Sequence, residues 1–187
     1  MNLTSSVRSW LSASRRKRPD AYSRVQIALH WIVVLLLISQ YATSGAIVRT
    51  HSLHMIGQRQ SPTDLMLHLL HNRLGLVLVA VMLARLVYRL WAGTPHHQPA
   101  GRSARIAGLV HAAFYAVLIT EGLSGAVASY LWWPASALHV VLFKILLGLV
   151  AIHVAAALWH QFILKDAALR RMGLVTPFRR LQGQQGG

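Results

Sequence analysis

The sequence predicts an all-α integral membrane protein, a four-helix bundle of up-down-up-down topology with both termini in the cytoplasm. Three observations lead to this prediction. The chain of 187 residues is 55% hydrophobic and only 12% charged, whereas soluble domains carry about 25% charged residues. Four apolar stretches are separated by short connectors. The basic residues cluster in the segments that four alternating helices would place on one side of the membrane.

Each apolar stretch reaches the length of about 20 residues that a helix needs to cross about 30 Å of hydrocarbon. The four predicted spans are residues 25–48, 65–90, 106–132 and 137–164. Proline and glycine interrupt the connectors, as is typical of helix ends. We therefore expect one four-helix domain over residues 22–172, preceded by a basic cytoplasmic leader (1–21) and followed by a disordered Gln/Gly-rich tail (173–187).

The distribution of Lys and Arg predicts the orientation. Of the 19 basic residues, fifteen lie near the two termini or around the second connector, on one predicted side. The other side holds Arg49, Arg59, Arg73 and Lys144. Because positively charged loops remain in the cytoplasm, both termini are predicted there. The leader lacks the apolar core of a secretory signal.

Composition and missing motifs exclude several classes of function. The chain has no cysteine, which excludes disulfides, iron–sulfur clusters and thiolate zinc sites. The sequence contains no GxGxxG, phosphate-binding loop or HExxH motif, so nucleotide-dependent dehydrogenases, ATPases and zincins are not expected. A net charge of +15 combined with four apolar blocks indicates a lipid partner and no nucleic acid. No catalytic residue is assigned.

Histidines are the remaining candidates for metal or redox chemistry, since ionisable residues inside spans are costly and usually functional. Of eleven histidines, four fall in predicted connectors, where a solvated side chain is expected: His51, His54, His96 and His97. Seven fall in predicted spans: His30, His68, His71, His111, His139, His153 and His160.

The fourth span carries the most informative spacing. His139 and His153 are fourteen residues apart, which brings them to nearly the same helix face about 21 Å apart along the axis. Depth counting places His71 opposite His139 near the outer side, and His30 near the inner side. Two cross-helix imidazole pairs at two depths suit two stacked b-type haems with bis-histidine iron.

Spacing leaves alternatives open. His68, one turn before His71, can replace it, and His160 matches the depth of His30 slightly better than His153 does. The histidines can also be structural residues, hydrogen-bonded within the core of a small transporter.

Several motifs resemble those of the bacterial cytochrome b561 family, a small four-helix di-haem group that includes a superoxide oxidase. They are YSRVQIALHW (22–31), LLHNRLGL around His71, MLARLVYRLW at the end of the second span, and LHVVLFKILLGLVAIHVAAALWHQFILKD followed by LRRM. The resemblance covers most of the chain. The leader has no counterpart in it.

The resemblance implies a specific set of ligands. The inner haem b would be bound by His30 and His153, and the outer haem b by His71 and His139, so that His68 and His160 would not bind iron. Where some family members have Lys-Ser after the second-span histidine, this chain has Asn72 and Arg73, which leaves the surroundings of the outer haem open.

The resemblance also implies a function in a bacterial inner membrane. Electrons would enter at the outer haem from a periplasmic one-electron donor, superoxide in the best-studied case, and leave to a membrane quinone such as ubiquinone. The side chains expected to contact haem propionates, an anion or quinone are Arg73, Lys144, His111 and His160.

Two other functions compete with a superoxide:quinone oxidoreductase. The first is an electron-relay cytochrome b subunit of a larger dehydrogenase or hydrogenase, which would dock a redox partner protein. The outer connectors are too short to form a large docking surface, which disfavours this function. The second is a small transporter, which is disfavoured because four helices enclose little room for the alternating access of a substrate.

Overall fold

The computed structural model describes residues 22–93 and 102–164. These ranges form four helices and no strand: α1 (Arg24–Met55), α2 (Pro62–Ala92), α3 (Arg102–Tyr130) and α4 (Ala135–Phe162). All four are long and apolar enough to cross a membrane. The predicted all-α membrane four-helix bundle is thus confirmed. The leader, the tail, His96 and His97 lie outside the described residues.

The end of α1 differs from the prediction. The apolar stretch ends at residue 48, but the helix continues to Met55, so the expectation that His51 and His54 lie in a connector is wrong. The polar residues 49–54 end the hydrophobic pattern without ending the helix, because no Gly or Pro interrupts them. The chain turns only at Gly57, whose φ of 68° is in the left-handed region that favours glycine.

Hydrogen bonds fix the start of α1 against the end of α2. Ser23 and Gln26 form a capping box, in which the Ser23 hydroxyl accepts from the Gln26 backbone N–H at 3.2 Å. The Gln26 Nε2 group donates to the carbonyl of Gly93 at 3.1 Å. We call this end of the bundle, where α1 begins and α2 ends, the inner end, and the opposite end the outer end.

Neighbours along the chain pack together: α1 on α2, α2 on α3, and α3 on α4. Among the described residues, no Cα of α4 comes within 8 Å of a Cα of α1 or of α2. Long side chains do cross from α1 to α4: the rings of Tyr41 and Phe143 have centroids 6.4 Å apart. The backbone of α4 is therefore further from α1 and α2 than from α3.

The apolar core lies at mid-depth. One cluster from all four helices forms a layer, which we call the apolar layer: Val33, Leu78, Met82, Leu118 and Leu146, each at most 5% exposed. The outward faces are apolar as well, as shown by Leu35 (63% exposed), Val48 (67%) and Leu109 (70%). Such faces are stable in lipid and not in water.

Candidate functional site

Two histidines face each other near the outer end, on the outer side of the apolar layer. The rings of His71 on α2 and His139 on α4 have centroids 6.4 Å apart and planes at 88°. The Nδ1 atom of His71 lies 3.0 Å from the Thr43 hydroxyl. The Nδ1 atom of His139 lies 2.9 Å from the carbonyl oxygen of Glu121.

These partners determine which ring nitrogen carries the proton. The Thr43 hydroxyl donates its only proton to the carbonyl of Ser39 at 2.8 Å, so it accepts a hydrogen bond from His71. A carbonyl oxygen can only accept, so His139 Nδ1 donates to Glu121. Both imidazoles therefore keep an Nε2 lone pair, which is the tautomer that metal-ligating histidines adopt.

Neighbouring residues hold the two rings in place. The Gln40 side chain donates to the backbone carbonyl of His71 at 3.0 Å. The Glu121 carboxylate oxygen lies 3.3 Å from His139 Nδ1. Gly125 allows the His139 ring to lie directly against α3, because a Cβ at this position would be 2.8 Å from the ring.

The separation of the two rings suits iron ligation. A metal–imidazole bond of about 2 Å, plus about 1.2 Å from nitrogen to ring centroid, puts the centroids of two imidazoles on opposite sides of one metal about 6.4 Å apart. The observed 6.4 Å agrees with this value. The two rings come from α2 and α4, whose backbones do not pack together. His71 and His139 therefore fit a haem bound by two axial imidazoles.

A second group of histidines lies toward the inner end. His153 on α4 faces His111 on α3, with ring centroids 6.2 Å apart and planes at 80°. His111 Nδ1 donates to the carbonyl of Ala107 at 2.6 Å. His30 on α1 receives a hydrogen bond at Nδ1 from the Arg85 guanidinium at 3.0 Å, because a guanidinium can only donate.

The structure thus gives His153 two possible partners. Ring distance and tautomer favour His111. Helix spacing favours His30, because the backbones of α1 and α4 do not pack together, whereas α3 packs directly on α4. A macrocycle between two ligands would require such a separation, which the helices of His71 and His139 also have.

Arg85 and Arg89, two of the fifteen basic residues predicted on the inner side, belong to a polar cleft at the inner end whose individual residues were not predicted from the sequence. The cleft is lined by Tyr22, Gln26, Leu29, Arg85, Tyr88, Arg89 and Tyr115. Two guanidinium groups and three phenols offer donors to an anionic or carbonyl oxygen. Arginines within a span were the available signal.

The other residues singled out in the sequence do not line this cleft. Arg73, Lys144 and His160 have exposed side chains. Asn72 lies between α2 and α3 and accepts a hydrogen bond from Ser129 at 3.4 Å. His68 lies beside Thr50 and His51.

Comparisons with known proteins agree with this architecture. A sequence model of the family described as prokaryotic cytochrome b561 matches residues 21–173. Cytochrome b562 of Cereibacter sphaeroides is 28% identical over 153 residues, covering 81% of this chain and 94% of that protein. The probable superoxide oxidase CybB of Yersinia pestis is 26% identical over 177 residues, covering 81% and 94%. Cytochrome b561 homolog 2 of Escherichia coli is 26% identical over 181 residues, covering 82% and 92%.

Proposed function

The chain belongs to the prokaryotic cytochrome b561 family, and we propose that it carries electrons between a one-electron donor at the outer end and a membrane quinone, using two b-type haems. The excess of basic residues near both termini supports an outer end that faces the periplasm of a bacterial inner membrane. Superoxide is the proposed donor, since one relative is named a probable superoxide oxidase.

The observation that carries this proposal is the geometry of His71 and His139. Their rings are 6.4 Å apart, and both Nδ1 atoms are occupied by protein acceptors. We propose these two residues as ligands of the outer haem, and His30 with His153 as ligands of the inner haem. Bis-histidine haem supplies one-electron transfer without an open iron position.

The inner cleft is the proposed location of polar contacts to quinone or to haem propionates. Arg85 and Arg89 present guanidinium groups there, which suit carboxylate and carbonyl oxygens. Exposed Arg73 and Lys144 are proposed to raise the positive potential of the outer end and to attract a small anion.

An optical redox titration followed by stopped-flow mixing tests this function. We expect two haems b per chain and rapid reduction by superoxide from the outer side of right-side-out vesicles, with electrons passing to ubiquinone. The double variant R73Q/K144Q should slow the bimolecular step and weaken its dependence on ionic strength. Equal rates from both faces, or reduction only by a partner dehydrogenase, would favour the relay subunit.

Thr43 provides a separate prediction. Replacing Thr43 with valine removes the acceptor for His71 Nδ1 while keeping the side-chain shape. We expect the outer haem to bind about 10–100-fold more weakly, the usual effect of losing such a partner. Haem loss to an excess of a scavenging apoprotein measures this change. T43S keeps the hydroxyl and should behave as the unsubstituted protein does; equal haem loss in T43V and T43S would contradict the role given to Thr43.

A further inference from the structure

A second pair of histidines lies at the outer end and has no part in the proposed electron path. His51, in the last two turns of α1, and His68, one turn before His71 on α2, have ring centroids 5.1 Å apart. Their planes are tilted by 40°. The indole of Trp133 stacks on His51 with ring centroids 4.4 Å apart. This stacking covers one face of the imidazole and leaves its edge, which carries the nitrogen atoms, uncovered by the indole.

Both rings make a hydrogen bond at Nδ1, which leaves Nε2 as the atom facing a metal. His51 Nδ1 donates to the carbonyl of Ile47 at 2.8 Å. His68 Nδ1 lies 2.8 Å from the Thr50 hydroxyl. Thr50 is only 2% exposed, and its hydroxyl can accept from His68 Nδ1 while its own proton is directed to the Ile47 carbonyl at 3.0 Å. His51, and His68 in the tautomer whose Nδ1 donates to Thr50, each present an Nε2 lone pair.

The centroids of the His51 and His68 rings are closer together than those of His71 and His139, which are 6.4 Å apart. Two imidazoles bound to one metal at a tetrahedral angle have centroids about 5.2 Å apart, against about 6.4 Å for imidazoles on opposite sides of the metal. The observed 5.1 Å corresponds to the tetrahedral arrangement. His51 and His68 thus suit two adjacent positions on one small cation.

We propose that His51 and His68 together bind a divalent transition-metal ion of the Zn²⁺ class, which imidazole ligands favour and which takes tetrahedral coordination. Within residues 22–93 and 102–164, no group of three His, Asp or Glu side chains is arranged around a metal site. Water or a small anion therefore completes the coordination, as in zinc sites that keep an open position. The ion links α1 to α2 one turn from the proposed outer haem ligand.

Titration of the haem-loaded, full-length protein without an affinity tag tests this site. Zn²⁺ binding is followed by calorimetry, and Cu²⁺ serves as a paramagnetic probe of the same imidazoles in electron paramagnetic resonance. We expect one saturable ion at this site with nitrogen hyperfine splitting. H51Q and H68Q should each weaken its binding at least ~10-fold, because each removes one of two protein ligands.

H54Q is the matched control, since His54 lies one turn further along α1 with an exposed side chain. H54Q should bind the ion as the unsubstituted protein does. The haem absorption spectrum, recorded for every variant, reports folding and haem binding independently of the added ion. If the H68Q protein does not accumulate, the affinity of H51Q for the ion alone tests the proposal. Equal affinity in all variants, no saturable binding, or an equal loss in H54Q would overturn the proposal.

Discussion

Replacing His71 or His139 with alanine is expected to remove the outer haem and halve the haem b content per chain. The two rings are the only proposed protein ligands to that iron, and each Nε2 lone pair is set by a partner at Nδ1. Pyridine haemochrome analysis of purified protein measures the change. The matched controls are H68A and H160A, which should keep both haems. Full haem content in H71A would refute the assignment.

The same measurement distinguishes the two candidate partners of His153. We expect H153A and H30A to lose the inner haem and H111A to keep it, because the backbones of α1 and α4 do not pack together. Loss in H111A with two haems retained in H30A would transfer the ligand role to His111. That outcome would leave the outer pair and the electron-carrier function intact.

Replacing Gly125 with valine is expected to abolish binding of the outer haem as well. Even a Cβ at this position would lie 2.8 Å from the His139 ring, and the ring is fixed by its bond to the Glu121 carbonyl. The branched side chain would displace the ring from its position opposite His71. Haem content and the spectrum of the remaining haem measure this effect.

Gly148→Val is the control for Gly125→Val, because a Cβ at Gly148 meets no atom within 4 Å. Both variants place the same side chain in a membrane helix, so a general cost of valine would appear in both. We expect G148V to retain two haems. A G148V protein with the same haem loss as G125V would show that the effect does not depend on contact with His139.

The sequence was sufficient to predict the class of fold, because hydropathy over four long stretches reports lipid burial directly. It failed at the end of α1, where hydropathy ended seven residues before the helix did. A hydrophobic span and a helix have different ends whenever polar residues continue the helix past the hydrocarbon. His51 and His54 were misplaced for this reason.

Depth counting placed His71 opposite His139, and the structure has these rings 6.4 Å apart. Counting could not choose among the inner histidines, because depth does not specify which helices leave space between them. Thr43 and Gly125 were missed because their roles depend on contacts between helices. Thr43 lies in a span, and polar residues inside spans are a usable signal.

The apolar layer has a consequence for charge balance. Val33, Leu78, Met82, Leu118 and Leu146 lie between the outer histidine pair and the inner group, and these hydrocarbon side chains offer a proton no hydrogen-bonding group. Electrons tunnel through packed hydrocarbon, but protons and ions need polar groups to carry them. An electron crossing the bundle in the proposed direction therefore moves without a counter-ion, and each turnover builds up membrane potential that opposes the next.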